Sequence, residues 1–358
     1  MKYFKIKKSI AAAVSIICLT ASLSSCASSS TDPETSAKTT TTIEDTSSYE
    51  LTLPSKADDS SDDSSDDSKP DHDTSDIPYT PAAWKVTSPS GNTMYMMGSM
   101  HALKQECTPL PDYVIDMYES SDELAVEVDI TDTTAQVSLL LNYTDKMTYP
   151  DGETVEQHLG KELWADISSY LEAYDMNPDD YLQYQAWYID MLLENIPLPD
   201  ADLSANYGLD MQLLLKAKED QKEIYEVESM EFQMDLLSGY SEDVMKTMLS
   251  GYKAENKELI IEQLHDLYKS WKAGDLEAFE NSDEESLSEY TEEEKKQIEE
   301  FNKKLVTDRN VGMAEKAMEL IDGDKKVFYV VGLAHFTGDD GILKLLEDKG
   351  CTVERIEP

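Results

Sequence analysis

The sequence predicts an α/β protein in which helices flank a central mixed β-sheet and a large α-helical insertion interrupts the order of the strands. Three observations support this prediction. Short runs rich in apolar and β-branched residues alternate with segments of helical periodicity from residue 82 onwards. A long stretch in the middle has helical periodicity only, and two of the strands end in the same Gly-x-x-His motif.

The first predicted elements are strands. Residues 82–87 and 93–97 have the composition of two strands, and the segment 88–92 between them has the residues and length of a hairpin turn. A helix is predicted over residues 111–120, and residues 123–128 have the pattern of a buried strand. The order is therefore strand, strand, helix, strand.

Residues 133–195 are the predicted helical insertion, because apolar side chains recur there at spacings of three and four. The insertion carries a stripe of four aromatic residues and one methionine, called the aromatic stripe below: Tyr181, Tyr184, Trp187, Tyr188 and Met191. Such a stripe is usually part of a core, so we favour packing over the alternative, the wall of a peptide groove.

The second half of the chain returns to alternating elements. Residues 223–227 predict a short strand that places Glu228 at its carboxyl end, and residues 326–331 predict a buried strand. Helices are predicted over 208–218, 242–279, 292–321 and 341–348, and a last strand over 351–356. A strand, a helix and a strand therefore close the chain.

The composition is strongly acidic. The 358 residues include 74 Asp and Glu against 30 Lys and Arg, which gives a formal net charge of -44. A polyanion of this density repels phosphate backbones and anionic headgroups, so we expect no nucleic-acid partner, and a membrane has to be reached through an anchor. Extracellular surroundings suit such a chain.

The N-terminus predicts an anchor of this kind. Lysines precede an apolar run over residues 10–23, which is too short to span a bilayer and has the length of a signal-peptide core. The run ends in Leu23-Ser24-Ser25-Cys26, which resembles the lipobox of bacterial lipoproteins. We therefore expect residues 1–25 to be a lipoprotein signal peptide and Cys26 to carry lipid, which anchors the protein in the cell membrane on its extracytoplasmic side. The alternative is an ordinary secretory signal cleaved before Ser30.

Residues 26–80 follow as a tether. They consist almost entirely of Ser, Thr, Asp, Glu and Pro, with too little apolar surface to offset chain entropy, so we expect them to be disordered. The folded domain then spans residues 81–358. It contains Cys107 and Cys351, whose pairing the sequence leaves open.

The candidate functional site comes from strand ends. His101 and His335 both follow a strand, a Gly and two further residues. Functional side chains of an α/β sheet gather beyond the carboxyl ends of its strands, and a Gly there lets the backbone turn sharply. Glu127 and Glu228 follow two other strands, so the set predicts a divalent-metal site or a metal-free acid/base site. The remaining histidines lack this context: His72, His158 and His265.

Taken together, these residues resemble the TraB/GumN family, whose animal relatives are the Tiki metalloproteases. The resemblance spans about residues 81–358. Its marks are Met97-Gly98-Ser99-Met100-His101, Leu110-Pro111, Ala125-Val126-Glu127-Val128-Asp129, Tyr207-Gly208-Leu209-Asp210, Glu228 with Glu231 and Gln233, Arg309-Asn310, and Val330-Val331-Gly332-Leu333-Ala334-His335 with Gly338 and Gly341. The ordered set carries more weight than any one motif.

The resemblance implies an active site built on the paired Gly-x-x-His motifs and one Glu, with a peptidase activity that manganese or cobalt supports in the Tiki branch. The metal-binding roles carry over to His101, His335 and Glu127, while Glu228 and Arg309 match further family positions. A carboxylate would move the proton of a metal-bound water, and Arg309 would stabilise an oxyanion. Which Glu binds metal and which acts as base stays open.

Two functions of different classes follow. One is a surface-anchored, metal-dependent hydrolase that acts on a peptide or protein substrate. The other is a non-catalytic lipoprotein that binds peptides or sequesters peptide pheromones, an activity associated with relatives of the TraB type. A structural surface protein is a third alternative. The hydrolase is favoured, because four converging polar side chains exceed what passive peptide binding needs.

Overall fold

The computed structural model describes residues 74–280 and 290–358, without the side chain of Phe279. The predictions for the signal peptide, for Cys26 and for the tether as far as residue 73 concern residues outside these ranges. Within the ranges, no helix has the length and apolar composition that crossing a bilayer requires.

A mixed six-stranded sheet forms the centre of the fold. Its strands are β1 (Ala83–Thr87), β2 (Thr93–Ser99), β3 (Glu123–Val126), β4 (Glu223–Glu226), β5 (Val327–Gly332) and β6 (Thr352–Arg355). They lie in the order β4-β3-β5-β2-β1-β6. The first four strands in this order are parallel to one another, and β1 runs antiparallel to both β2 and β6. All six predicted strands are present, so the predicted mixed sheet is confirmed.

Helices flank the sheet. In the described ranges they are α1 (Asp112–Glu119), α2 (Thr133–Met147), α3 (Val155–Leu159), α4 (Lys161–Glu172), α5 (Ala186–Asn195), α6 (Leu209–Glu219), α7 (Met230–Ser238), α8 (Glu242–Leu249), α9 (Lys257–Ala273), α10 (Leu276–Glu280), α11 (Glu292–Asn302), α12 (Asp308–Ile321) and α13 (Ile342–Asp348). Two long helical segments separate β3 from β4 and β4 from β5. Only α7 lies where no helix was predicted.

The position of each strand in the sheet explains its composition. All six residues of β5 are buried, since the strand lies between β3 and β2 and has no free edge. Both terminal residues of β4 are exposed, because β4 is an edge strand. Interior parallel strands therefore appear in the sequence as continuous apolar runs, as in residues 327–331.

The aromatic stripe of the helical insertion packs into the core. Trp187 and Tyr188 are buried, and the rings of Tyr184 and Tyr188 stack with their centroids 4.7 Å apart. Tyr181 and Tyr184 are half-buried against the same cluster. The stripe is thus a packing surface of the helical layer.

The first described residues are held against the domain. Thr74 donates from Oγ1 to Glu106 Oε1 at 2.6 Å, and the buried Lys272 donates to both Thr74 O and Glu106 Oε1, at 3.0 and 2.9 Å. Further along, Tyr79 donates from its hydroxyl to a backbone carbonyl 2.9 Å away. Residues 74–80, which we predicted to belong to the disordered tether, therefore pack on the domain.

The two cysteines of the domain are free and buried. The Cys107 thiol lies 3.2 Å from the Tyr268 hydroxyl, and the Cys351 thiol lies 3.4 Å from the Met318 sulfur. The pairing that the sequence left open is therefore absent, because each thiol packs in a different environment.

Candidate active site at the carboxyl edge of the sheet

The carboxyl ends of four neighbouring strands deliver the predicted site residues. His101 follows β2, Glu127 follows β3, Glu228 follows β4 and His335 follows β5. Backbone pairing continues past the strand ends, since the Glu228 amide donates to Glu127 O at 2.9 Å. The parallel order of these strands brings their ends to one edge of the sheet, as the sequence predicted.

Arg309, on α12, lies between the two glutamates. Its Nη2 donates to Glu127 Oε2 and to Glu228 Oε2, both at 2.7 Å, and its Nε donates to Glu228 Oε1 at 2.9 Å. Gln233, on α7, donates from Nε2 to the same two carboxylates at 3.1 and 3.0 Å. One cation and one amide therefore hold both carboxylates in fixed positions.

The formal charges of Glu127, Glu228 and Arg309 do not balance. Burial lowers the pKa of Arg309, but Glu127 and Glu228 outweigh burial and raise it above its usual value, so the guanidinium stays charged. Counted by formal charge, the two glutamates against one guanidinium leave one negative charge in excess. Buried charge is costly unless it is balanced, so a cation bound beside the carboxylates would stabilise the cluster.

A π-helical turn, Lys303–Thr307, precedes α12 and helps to place Arg309. The Leu305 carbonyl of this turn accepts a hydrogen bond from Arg309 Nη1 at 2.9 Å. Turns of this type are uncommon and are often found at functional sites. With this bond every nitrogen of the guanidinium donates to a protein oxygen.

The tautomer of His335 is fixed by Asn310. The Asn310 amide nitrogen donates to Asp340 O at 2.8 Å, which turns its Oδ1 towards His335 Nδ1, 2.6 Å away. His335 Nδ1 must therefore carry the proton, and Nε2 presents its lone pair. This Nε2 is buried, forms no hydrogen bond within the described residues, and lies 3.7 Å from Glu127 Oε1. Burial first, and then the Arg309 charge, lower the pKa of His335 well below its usual value, which keeps the ring neutral.

His101 has a different partner. Its Nδ1 lies 2.6 Å from Oδ2 of Asp210, at the start of α6, and both side chains are buried. Burial lowers the pKa of His101, but the charge of Asp210 and its hydrogen bond raise it by more, so the net shift is upward. The two histidines of the paired motifs therefore lie in opposite electrostatic environments.

Gly98 is needed for space rather than for backbone freedom. We predicted that Gly98 and Gly332 permit sharp turns, but neither has a positive φ, and Gly98 lies inside β2. A Cβ on Gly98 would lie 2.3 Å from Leu333 Cδ1. The same Cβ would lie 3.0 Å from Leu333 Cα, so a side chain at Gly98 would press on the turn after β5 that carries His335.

The imidazole of His335 and the carboxylate of Glu127 are side chains of the types that bind divalent cations. Among residues 74–280 and 290–358, no group of three or more His, Cys, Asp or Glu side chains is arranged as a metal site. The lone pair of His335 Nε2, the nearby Glu127 carboxylate and the excess negative charge are nevertheless what a cation such as Mn²⁺ requires. The hydrogen bond from Asn310 has the form that orients metal-binding histidines.

Three residues that hydrogen-bond to the predicted site residues were assigned no function in the sequence analysis: Asp210, Gln233 and Asn310. Each forms its key hydrogen bond with a residue of another element, up to 109 positions away. They stood out only as marks of the family resemblance. Spacing along the chain could not have identified their partners.

Comparison with known proteins agrees with this geometry. The sequence profile of the TraB/PrgY/gumN family matches residues 82–355, which include the five residues predicted for the active site but not Cys26. The chain belongs to the TraB/PrgY/gumN family. The resemblance drawn from the motifs is therefore confirmed.

Individual relatives are distant. The chain is 26% identical to "Uncharacterized protein YbaP" of Escherichia coli (strain K12) over 159 residues, which are 44% of this chain and 57% of the relative, and it matches YbaP of Shigella flexneri equally well. It is 21% identical to "Metalloprotease TIKI homolog" of Nematostella vectensis, over 67% of this chain and 60% of the relative. The chain thus spans less than two thirds of these relatives. No solved structure matches it.

Proposed function

We propose that this protein is a metal-dependent hydrolase of peptides or proteins, anchored by lipid on Cys26 to the extracytoplasmic face of the cell membrane. The observation that carries the catalytic part is the bare, buried Nε2 of His335, beside a carboxylate in a cluster with excess negative charge. The anchor rests on the lipobox-like segment that ends at Cys26.

His335 and Glu127 would hold the metal, with His101 as the third ligand from the paired motif. The family resemblance favours manganese or cobalt. A bound divalent ion acts as a Lewis acid and lowers the pKa of its water.

The other residues of the cluster position groups and move a proton. Glu228 is the better candidate for the base, because its side chain is 9% exposed whereas that of Glu127 is 2% exposed and lies closer to His335. Arg309 is assigned to holding the two carboxylates. The oxyanion role we predicted for it is disfavoured, because each guanidinium nitrogen already donates to a protein oxygen.

The substrate class has separate support. One relative carries the name "Metalloprotease TIKI homolog", and a metalloprotease acts on peptide bonds. The alternative, a non-catalytic peptide-binding lipoprotein, relied on the aromatic stripe as the wall of a groove. That stripe is half-buried or buried in the helical layer, so no observation favours the alternative.

The experiment measures Mn²⁺ binding by the full chain and cleavage of a library of internally quenched fluorogenic peptides. We expect one bound Mn²⁺ and cleavage that a chelator abolishes. The variant His335→Ala should lose both. The matched control His158→Ala should keep both, because His158 bonds to Glu153 and Glu242 outside the cluster. A folded wild-type protein that binds no Mn²⁺ at micromolar concentrations would refute the proposal.

A further inference from the structure

Ser99, the last residue of β2, has a buried hydroxyl with no partner. Its side chain is fully buried, and Oγ forms no hydrogen bond with any group in residues 74–280 or 290–358. Buried hydroxyl groups are almost always hydrogen-bonded, since leaving one unpaired costs its full desolvation penalty. A hydroxyl kept in this state suggests a partner that arrives from outside the chain.

The position of Ser99 indicates where that partner binds. Ser99 pairs in register with Gly332, and the Gly332 amide donates to Glu127 Oε1 at 2.6 Å. Two residues further along the chain lies His101. Ser99 is therefore at the same edge of the sheet as the carboxylates and the histidines, on the strand that neighbours β5.

Most of the polar groups at this edge are already bonded. Both oxygens of Glu127 accept hydrogen bonds, and so do both oxygens of Glu228. Among the described residues, Ser99 Oγ, in the last residue of β2, and His335 Nε2, in the turn after β5, are buried side-chain atoms of this edge that have no hydrogen-bond partner.

We infer that Ser99 is a substrate-contacting residue whose hydroxyl donates a hydrogen bond to the carbonyl oxygen of the peptide bond that is cleaved. This inference rests on the proposed function. The carbonyl oxygen gains negative charge as the bond is attacked, so the hydrogen bond strengthens in the transition state and acts mainly on kcat.

The test compares Ser99→Ala with Ser88→Ala. Ser88 is also a buried serine, but its hydroxyl is bonded to Asp322 Oδ1 at 3.0 Å. It follows β1 at the opposite edge of the sheet, where β2 begins. Ser99→Ala should lower kcat at least tenfold, leave Mn²⁺ affinity unchanged and leave Tm unchanged or raised, because an unpaired hydroxyl is removed. Ser88→Ala should lower Tm and keep kcat, because a bonded hydroxyl is removed.

If the wild type cleaves peptides, two results would overturn the inference alone. The first is a Ser99→Ala variant with wild-type kcat. The second is a Ser99→Ala variant whose Tm falls, which would show that the hydroxyl has a structural partner. If the wild type itself binds no Mn²⁺ and cleaves no peptide, the proposed function fails and the inference falls with it. The wild-type measurement therefore separates the two failures.

Discussion

Asn310 presents its side-chain oxygen to His335 Nδ1 at 2.6 Å, and this contact decides which nitrogen of the ring is free to bind a ligand. Asn310 itself is oriented by the carbonyl of Asp340. The chemistry at Nε2 is thus controlled by a residue that lies on the opposite side of the ring.

Removing Asn310 should weaken metal binding. In Asn310→Ala the ring of His335 loses both its tautomer and its orientation, so we expect Mn²⁺ affinity to fall by about 10- to 100-fold. Titration with Mn²⁺ measures this. Asn195→Ala is the control, since the Asn195 amide donates only to Met191 O of its own helix. An affinity unchanged in a folded Asn310→Ala protein would contradict the role given to this residue.

Arg309 should be essential for folding stability. Arg309→Met leaves the buried Glu127 carboxylate and the partly buried Glu228 carboxylate without their cation, which we expect to lower the free energy of unfolding by about 3–5 kcal/mol. Urea denaturation measures the change. The control Lys304→Met removes a partly exposed cation paired with Glu300 and should cost about 0.5 kcal/mol. The double variant Arg309→Met, Glu228→Gln should recover part of the loss, and a double variant no more stable than the single one would argue against charge imbalance as the cause.

A second buried acidic pair makes stability depend on pH. Asp190 and Glu194 lie one turn apart on α5, and burial raises the pKa of Asp190 to about 7 and that of Glu194 well above its usual value. The folded state therefore holds protons that the unfolded state releases above about pH 4. The free energy of unfolding is therefore highest below about pH 4, and it decreases as the pH rises to about 7.

Asp190→Asn should remove part of this dependence. We expect the free energy of unfolding at pH 8 to rise by on the order of 2 kcal/mol, with little change at pH 4. Denaturation curves at both pH values measure it, and the exposed Glu172→Gln serves as control. Equal changes at pH 4 and pH 8 would show that packing, rather than ionisation, governs this position.

Gly208 should tolerate no side chain. It has φ -52, which suits any residue, but a Cβ there would lie 2.1 Å from His101 O. Gly208→Ala should therefore displace the backbone of His101, lowering both Tm and Mn²⁺ affinity. Gly312→Ala is the opposite control, because a Cβ at this position in α12 meets nothing within 4 Å and should stabilise the helix by about 0.5–1 kcal/mol. A Gly208→Ala protein with wild-type affinity would show that the loop can move without consequence.

The sequence predicted the strands and their ends better than the contacts made there. Glu127 and Glu228 could be placed because continuous apolar runs mark parallel strands and stop where the strands stop. The helix α7 was missed, and with it Gln233, because a single capping serine and a short apolar pattern are weak signals. His265 was assigned to a polar stretch, yet it is buried, because α9 turns one face inward.

Partners that come from distant elements could not be predicted. Asp210 meets His101 only because α6 begins beside the loop after β2, and Arg309 meets both glutamates only because α12 packs on β5. These contacts depend on tertiary packing, for which one sequence contains no periodic signal. The reason for Gly98 was also hidden, since a close contact with Leu333 leaves no trace in local backbone preference.

The two outermost strands of the sheet, β4 and β6, are short and expose charged side chains. The edge strand β4 exposes Glu223 and Glu226, and the edge strand β6 exposes Glu354 and Arg355. A second copy of the chain that paired with either edge strand would meet charged side chains and only four residues of unpaired backbone. With a formal net charge of -44 as well, copies of the chain should resist aggregation through strand addition.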